Sequence, residues 1–132
     1  MKGFTSRVTR GLQTGSKITC HDNSGAKLIQ IINVLGLMGT RRRYPAAGIG
    51  DVVIASVKKG KPEMVKKVVR ALIVRQKRPF KRKNGLMVQF EDNAAVLVTE
   101  DGLPVGTEIK GVVAKEITER YPKVSAIAPG II

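Results

Sequence analysis

The chain has 132 residues and carries 24 Lys plus Arg against 10 Asp plus Glu, a formal net charge of +14. That length holds one domain with one core, and a 42% hydrophobic fraction is too high for a disordered basic tail. One cysteine excludes an internal disulfide or a Cys-based zinc site, one histidine excludes a His-rich metal site, and no apolar run reaches the roughly 18 to 20 residues of a membrane span. Residues 1–10 lack the apolar stretch of a secretory signal. The expectation is a compact, reduced, intracellular domain whose partner is a polyanion, nucleic acid first.

Taken in chain order, residues 26–34 (AKLIQIINV) read as a strand, and so do residues 52–57 (VVIASV). Gly48-Ile49-Gly50-Asp51 punctuates the entry to the second, and Gly60-Lys61-Pro62 ends it with a turn. Residues 64–75 fit a helix face at Met64, Val65, Val68, Val69 and Leu72, yet their Val and Ile content favours a strand hairpinned to the previous one. Residues 75–83 then lead to Asn84-Gly85 and to residues 86–90. Asn-Gly between two runs predicts a tight hairpin with both turn residues at φ > 0. Its basic first leg, at about 3.3 Å per residue, would reach some 25 Å as an arm. Pro79 cannot donate to a ladder, which suits an edge. Residues 94–99 predict another strand. Residues 112–121 are the best helix candidate, stopped by Pro122. Many short strands between turns point to a mainly β fold, a small barrel. Asp22-Asn23 and Asp92-Asn93 each precede an apolar strand, an echo that shared turn chemistry explains better than duplication.

The charge is uneven. Residues 1–83 hold 20 basic and 3 acidic side chains, and residues 84–132 hold 4 and 7. The first cluster is Arg41, Arg42 and Arg43. The second is Lys58, Lys59, Lys61, Lys66, Lys67 and Arg70. The third is Arg75, Lys77, Arg78, Lys81, Arg82 and Lys83. Like charges without interspersed acids repel, and a partner that neutralises them is the simplest account. Arg forks suit bidentate phosphate binding, and lysines act as point charges. Lys27 is a further candidate phosphate contact. Of the few aromatics, Tyr44 beside the Arg triplet and Phe80 in the arm are placed to stack on bases. If about six phosphates are neutralised, binding weakens with a log–log salt slope near −4 to −5. Such contacts read shape and backbone, which fits a large folded RNA better than DNA, since no recognition helix is evident.

No active site assembles. Cys20 and His21 are adjacent and point to opposite faces of a strand, so Cys20 reads as a buried small hydrophobe and His21 as a turn or surface residue. Gly48-Ile49-Gly50 lacks the third glycine of a dinucleotide site. Asp22 and Asp92 read as turn formers rather than metal ligands. Neither a catalytic residue, a metal nor a cofactor is expected. A free-standing RNA chaperone of OB-like type is the alternative reading, and a hydrolase with a hidden site a remote third.

The residues also carry a resemblance. Asp22-Asn23-Ser24-Gly25-Ala26-Lys27, Ala47-Gly48-Ile49-Gly50-Asp51-Val52-Val53, the Lys58-Lys59-Gly60-Lys61 turn, Val74-Arg75-Gln76-Lys77 and Phe90-Glu91-Asp92-Asn93-Ala94-Ala95-Val96 follow one another in order. Gly106-Thr107, Gly111-Val112 and Ala126-Ile127-Ala128-Pro129 complete the series. This order closely resembles the universal fourteenth large-subunit ribosomal protein family, from about residue 8 to the end. Lys61-Pro62-Glu63-Met64 and the Phe-Glu-Asp-Asn form look like its archaeal and eukaryotic branch. Glu108 and Val112 stand where the bacterial pattern has Arg and Pro. The resemblance implies a single domain over 1–132: a five-stranded β-barrel core at about 7–110, a projecting basic β-hairpin at about 72–90, and a short helical C-terminal segment at about 111–132. It implies a cytoplasmic, ribosome-bound structural protein that is not an enzyme. It implies binding to 23S rRNA and contact with small-subunit 16S rRNA at an intersubunit bridge. Neighbouring ribosomal proteins, including the third large-subunit family, and in some lineages a subunit anti-association factor would be further partners. The mildly acidic last third suggests a protein-contact surface, with Glu108, Lys115, Glu119, Arg120 and Tyr121 as candidates.

Overall fold

A computed structural model describes residues 6–36 and 43–132. Its strands are β1 (Leu12–Gln13), β2 (Lys17–Cys20), β3 (Ala26–Val34), β4 (Ala46–Ala47), β5 (Val52–Gly60), β6 (Val68–Arg75), β7 (Phe80–Lys81), β8 (Met87–Val88) and β9 (Ala94–Leu97). Two short helices follow, α1 (Lys115–Arg120) and α2 (Pro122–Ala126). Strands β2, β3, β5, β6 and β9 form a closed five-stranded barrel. Neighbours are antiparallel except at the seam, where β2 runs parallel to β9 with Thr19 opposite Ala94 and Cys20 opposite Ala95. Closure removes free sheet edges.

Side-chain alternation sets which face is inside. On β5, Val53, Ala55 and Val57 are buried while the residues between them are partly open. On β6 and β9 the alternation disappears, and Ala71 to Arg75 and Ala94 to Leu97 are all buried. Both faces of these strands are covered. The C-terminal segment lies over β6, where the Ala114 amide donates to Val74 O at 3.2 Å, and it brings Val113, Ile117 and Val124 into the core. Each such side chain stabilises the fold by about 1.5–3 kcal/mol when fully buried.

Several element boundaries differ from the sequence expectation. The strand predicted over 64–75 begins only at Val68. Ahead of it, the amides of Met64 and Val65 both donate to Lys61 O, and Lys66 adopts φ 71°, so the chain winds through a turn before it can pair. The preceding strand runs on to Gly60, because its end pairs with the start of β3, Ala26 opposite Gly60. The helix predicted over 112–121 starts at Lys115, and Pro122 does more than stop it. Pro122 occupies the first turn of α2, where its missing N–H is no loss. The Asn84-Gly85 turn is wider than predicted. Only Gly85 takes positive φ, at 87°, the Gly85 amide donates to Arg82 O, and the Arg82 amide donates to Leu86 O. This is a three-residue loop with a bulge glycine. Its paired legs are two residues long, Phe80 opposite Val88 and Lys81 opposite Met87.

Candidate nucleic-acid interface

Two cationic surfaces stand at the two ends of β6. The first is built by the starts of β3 and β6 and the end of β5. Leu28 pairs with Lys59, the Lys61 amide donates to Gly25 O at 2.9 Å, and the Lys66 amide donates to Val57 O at 2.9 Å. These contacts gather Lys27, Lys58, Lys59, Lys61, Lys66 and Lys67, all exposed. Gly60 makes the approach possible. A Cβ there would sit 2.4 Å from Gly25 O. Among the described residues none of these six lysines has an ion-pair partner. Arg70, counted with them in sequence, instead pairs with Glu100 at 3.7 Å on the barrel wall.

The second surface is the hairpin at the far end of β6. Lys77, Arg78, Lys81 and Lys83 are exposed on it. Three other expected contacts are not available, and each has a physical reason. Phe80 is fully buried, so it offers no face to a base. Arg75 is 6% exposed and sits inside a cage of groups. Its Nη1 donates to Val112 O at 3.0 Å, its Nη2 donates to Asp92 Oδ2 at 3.2 Å, and its Nε lies 3.0 Å from Asp92 Oδ1 without hydrogen-bonding it. Arg82 lies over the Phe80 ring at 5.7 Å and is bound to buried Glu116, Nε to Oε1 at 2.8 Å. Arg75 and Arg82 are therefore structural cations. Arg7, passed over in the sequence reading, joins this surface. It is exposed and bridges Lys81, its amide donating to Lys81 O at 3.2 Å.

Of the Arg triplet, Arg41 and Arg42 lie outside the described residues. Arg43 and Tyr44 are exposed, Tyr44 at 77%, just ahead of β4. The five residues expected to contact protein fall in three neighbourhoods. Exposed Glu108 is tied to Asn23, its amide donating to Asn23 Oδ1 at 3.2 Å. Lys115 and Glu119 border a small cavity with Ser6 and Lys83. Arg120 and Tyr121 line a cleft of about 470 Å³ with Arg10, Asp51 and Arg70. Burial pushes the Tyr121 hydroxyl pKa up from its ordinary 10.0.

The Asp-Asn pairs tie down loops. Asp22 Oδ1 accepts from the Cys20 thiol, the Ser24 amide and the Ser24 hydroxyl, and its Oδ2 accepts the Leu97 amide at 3.0 Å. The second pair works differently. Asp92 binds Arg75, and Asn93 Oδ1 accepts the Lys77 amide at 2.9 Å. Burial, and then the Asp22 charge, push the Cys20 thiol up to about 12. His21 is not a free surface residue. Its Nδ1 lies 3.0 Å from Arg75 Nη2 and its Nε2 lies 2.9 Å from Thr19 Oγ1. Burial first and Arg75 second lower its pKa. A neutral ring with the proton on Nε2 satisfies both contacts. Among the described residues no group of three or more His, Cys, Asp or Glu could hold a metal ion.

A family model described as ribosomal protein L14p/L23e matches residues 11–132. The chain is 59% identical over 132 residues to the large ribosomal subunit protein uL14 of Thermoplasma acidophilum, covering 100% of both chains. It is 54% identical over 132 residues, again 100% of both, to the protein of that name from Methanocorpusculum labreanum. With that of Methanococcus maripaludis it shares 53% identity over 128 residues, 97% of each chain.

Proposed function

Because the chain belongs to the ribosomal protein L14p/L23e family, we propose that it is a non-catalytic constituent of the large ribosomal subunit whose two cationic surfaces grip separate segments of 23S rRNA. One observation carries this reading. Six exposed lysines at one end of β6 and four exposed hairpin cations at the other, with Arg7 beside them, have no ion-pair partner among the described residues. The eight residues of β6 set the two surfaces roughly 25 Å apart at about 3.3 Å per residue. Isolated cations at that spacing match phosphates on two backbone stretches better than a single compact ligand. Lys27, Lys58, Lys59, Lys61, Lys66 and Lys67 contact the first, and Lys77, Arg78, Lys81 and Lys83 the second. Arg43 and Tyr44 are exposed next to β4, where Arg43 takes a third backbone contact and Tyr44 stacks on a base.

Contact with small-subunit 16S rRNA at a bridge, with a neighbour of the third large-subunit family, and with an anti-association factor extends the proposal. The family resemblance supports these partners, together with the acidic balance of residues 84–132. The test is sedimentation of ribosomes from cells expressing a tagged chain. The expected result is the chain in free large subunits and in joined ribosomes, released by rising salt. A chain found only in ribosome-free fractions overturns the reading in favour of a free-standing RNA chaperone.

A further inference from the structure

The hairpin leaves the barrel at Gln76, a residue that carries no charge and is 2% exposed. Its single amide group meets three segments of chain. Oε1 accepts the Ile49 amide at 2.9 Å, and Nε2 donates to Thr9 O at 3.0 Å and to Arg78 O at 2.9 Å. Gly48 packs against it so closely that a Cβ would lie 3.0 Å from Oε1. The neighbouring bonds run in the same direction. The Lys77 amide is held by Asn93 Oδ1, Thr9 Oγ1 donates to Pro79 O at 2.9 Å, and the Arg78 side chain lies along Gly11. The N-terminal segment thus forms a wall along the hairpin's first leg, and Gln76 is the joint between wall, leg and barrel. Paired legs of two residues cannot aim the hairpin by themselves.

We propose that Gln76, with Asn93, is the positioning residue of the cationic hairpin: it touches no RNA and fixes where Lys77, Arg78, Lys81 and Lys83 present their charges. The proposal rests on the rRNA-binding reading above. A buried amide suits this task because it both donates and accepts, and a charged or apolar side chain of the same size would leave carbonyl or amide groups unmet.

The test is a cycle on the full-length chain, with a transcript of large-subunit rRNA as probe and filter binding over a salt series. The variants are Gln76→Glu, the hairpin-charge variant (Lys77, Arg78, Lys81 and Lys83 all to Ala), and the lysine-end variant (Lys58, Lys59 and Lys61 to Ala). Removing four phosphate contacts lowers the magnitude of the salt slope by about 3. Gln76→Glu keeps every hairpin cation, and is expected to weaken binding about tenfold, in the range seen when residues of one network couple, and to lower the slope by about 1. In the hairpin-charge background it has no further effect, whereas with the lysine-end variant the losses add. A merely structural defect adds to both. If Gln76→Glu does not fold, Asn93→Ala replaces it, since it removes only the bond to the Lys77 amide. The inference is overturned if the hairpin charges matter while the folded Gln76 or Asn93 variant binds as the parent does. If removing the hairpin charges changes nothing, it is the rRNA reading of the hairpin that fails.

Discussion

Glu116 Oε1 lies 2.8 Å from Arg82 Nε, which fastens a cation of the basic hairpin to helix α1. Arg82 Nη2 also donates to Ile132 O at 2.6 Å, and the Ser6 hydroxyl donates to Glu116 Oε1 at 2.9 Å. The glutamate is 1% exposed, and that guanidinium is the partner of its buried carboxyl group. Truncating one partner of a buried pair strands the other, at about 3–5 kcal/mol. Arg82→Ala is therefore expected to lower unfolding stability by about 3 kcal/mol, whereas Lys83→Ala, one residue on and exposed, stays within about 0.5 kcal/mol of the parent. Urea unfolding of both variants checks this. An unchanged midpoint for Arg82→Ala, with weakened RNA binding, would return Arg82 to the interface.

That pair also shows what a sequence yields and what it withholds. Charge counts located both basic surfaces, because lysines cannot hide among other lysines. They could not tell a presented cation from an internal one. The partners of Arg75 and Arg82 are Asp92 and Glu116, 17 and 34 positions away, and only the barrel brings them together. Phe80 looked like a stacking residue because its neighbours are basic, but the fold buries it completely. Gln76 stood in the Val74-Arg75-Gln76-Lys77 stretch with no role attached, since a neutral amide stands out only once its four hydrogen bonds are seen. The strand pattern was readable from β-branched runs and turn residues. The count of five barrel strands came from the family resemblance.

A pH dependence follows from His21. Its folded pKa is lowered by burial first and by Arg75 next, with Asp92 opposing and Lys110 nearby. The unfolded chain therefore takes up a proton first. Stability is fully present above the ordinary value of 6.5 and declines as pH falls from there toward the lowered folded value. Protonated His21 can no longer accept from Arg75 Nη2, the guanidinium that also holds Val112 O. His21→Gln is expected to flatten the stability profile below about pH 6.5. A profile identical to the parent's would sink the assignment.

Cys20 gives the opposite sign. Its pKa is raised from 9.0 to about 12, so folding keeps its proton on, and its contribution is present below pH 9.0 and lost toward 12. The thiol is buried and donates to Asp22 Oδ1 at 3.2 Å. Native protein at pH 8.5 is expected to react with iodoacetamide no faster than it opens, and unfolded protein within minutes. Prompt labelling of the native chain would contradict the buried, protonated thiol.

The lysine end makes a quantitative claim on salt. Lys58, Lys59 and Lys61 are exposed and take no part in core packing. Replacing the three with Ala is expected to lower the magnitude of the log–log salt slope for rRNA binding by about 2–3, with unfolding stability unchanged to within about 0.5 kcal/mol. Filter binding between 50 and 300 mM salt, roughly the range over which phosphate contacts dominate, measures it. A parallel shift of the curve with the slope intact would mean that these lysines are a solvated face.

Gly111 tests the junction between barrel and C-terminal segment. It takes φ +81°, and a Cβ would lie 2.3 Å from Arg75 Nη1 and 3.3 Å from its Cζ. That guanidinium cannot swing aside, because Val112 O, Asp92 and His21 already hold it. Gly15 is the control. It takes a similar φ of +89° with nothing within 4 Å of its Cβ position. Gly15→Ala thus carries only the backbone term of about 1–2 kcal/mol. Gly111→Ala adds the displacement of a buried, paired arginine and is expected to cost at least 3 kcal/mol in total. Hydrogen exchange should speed up first at the amides that dock this segment, Ala114 to Val74 O and Val113 to Gly130 O. Equal losses for the two glycine variants would show that Arg75 yields, and that the segment is held by its apolar side chains alone.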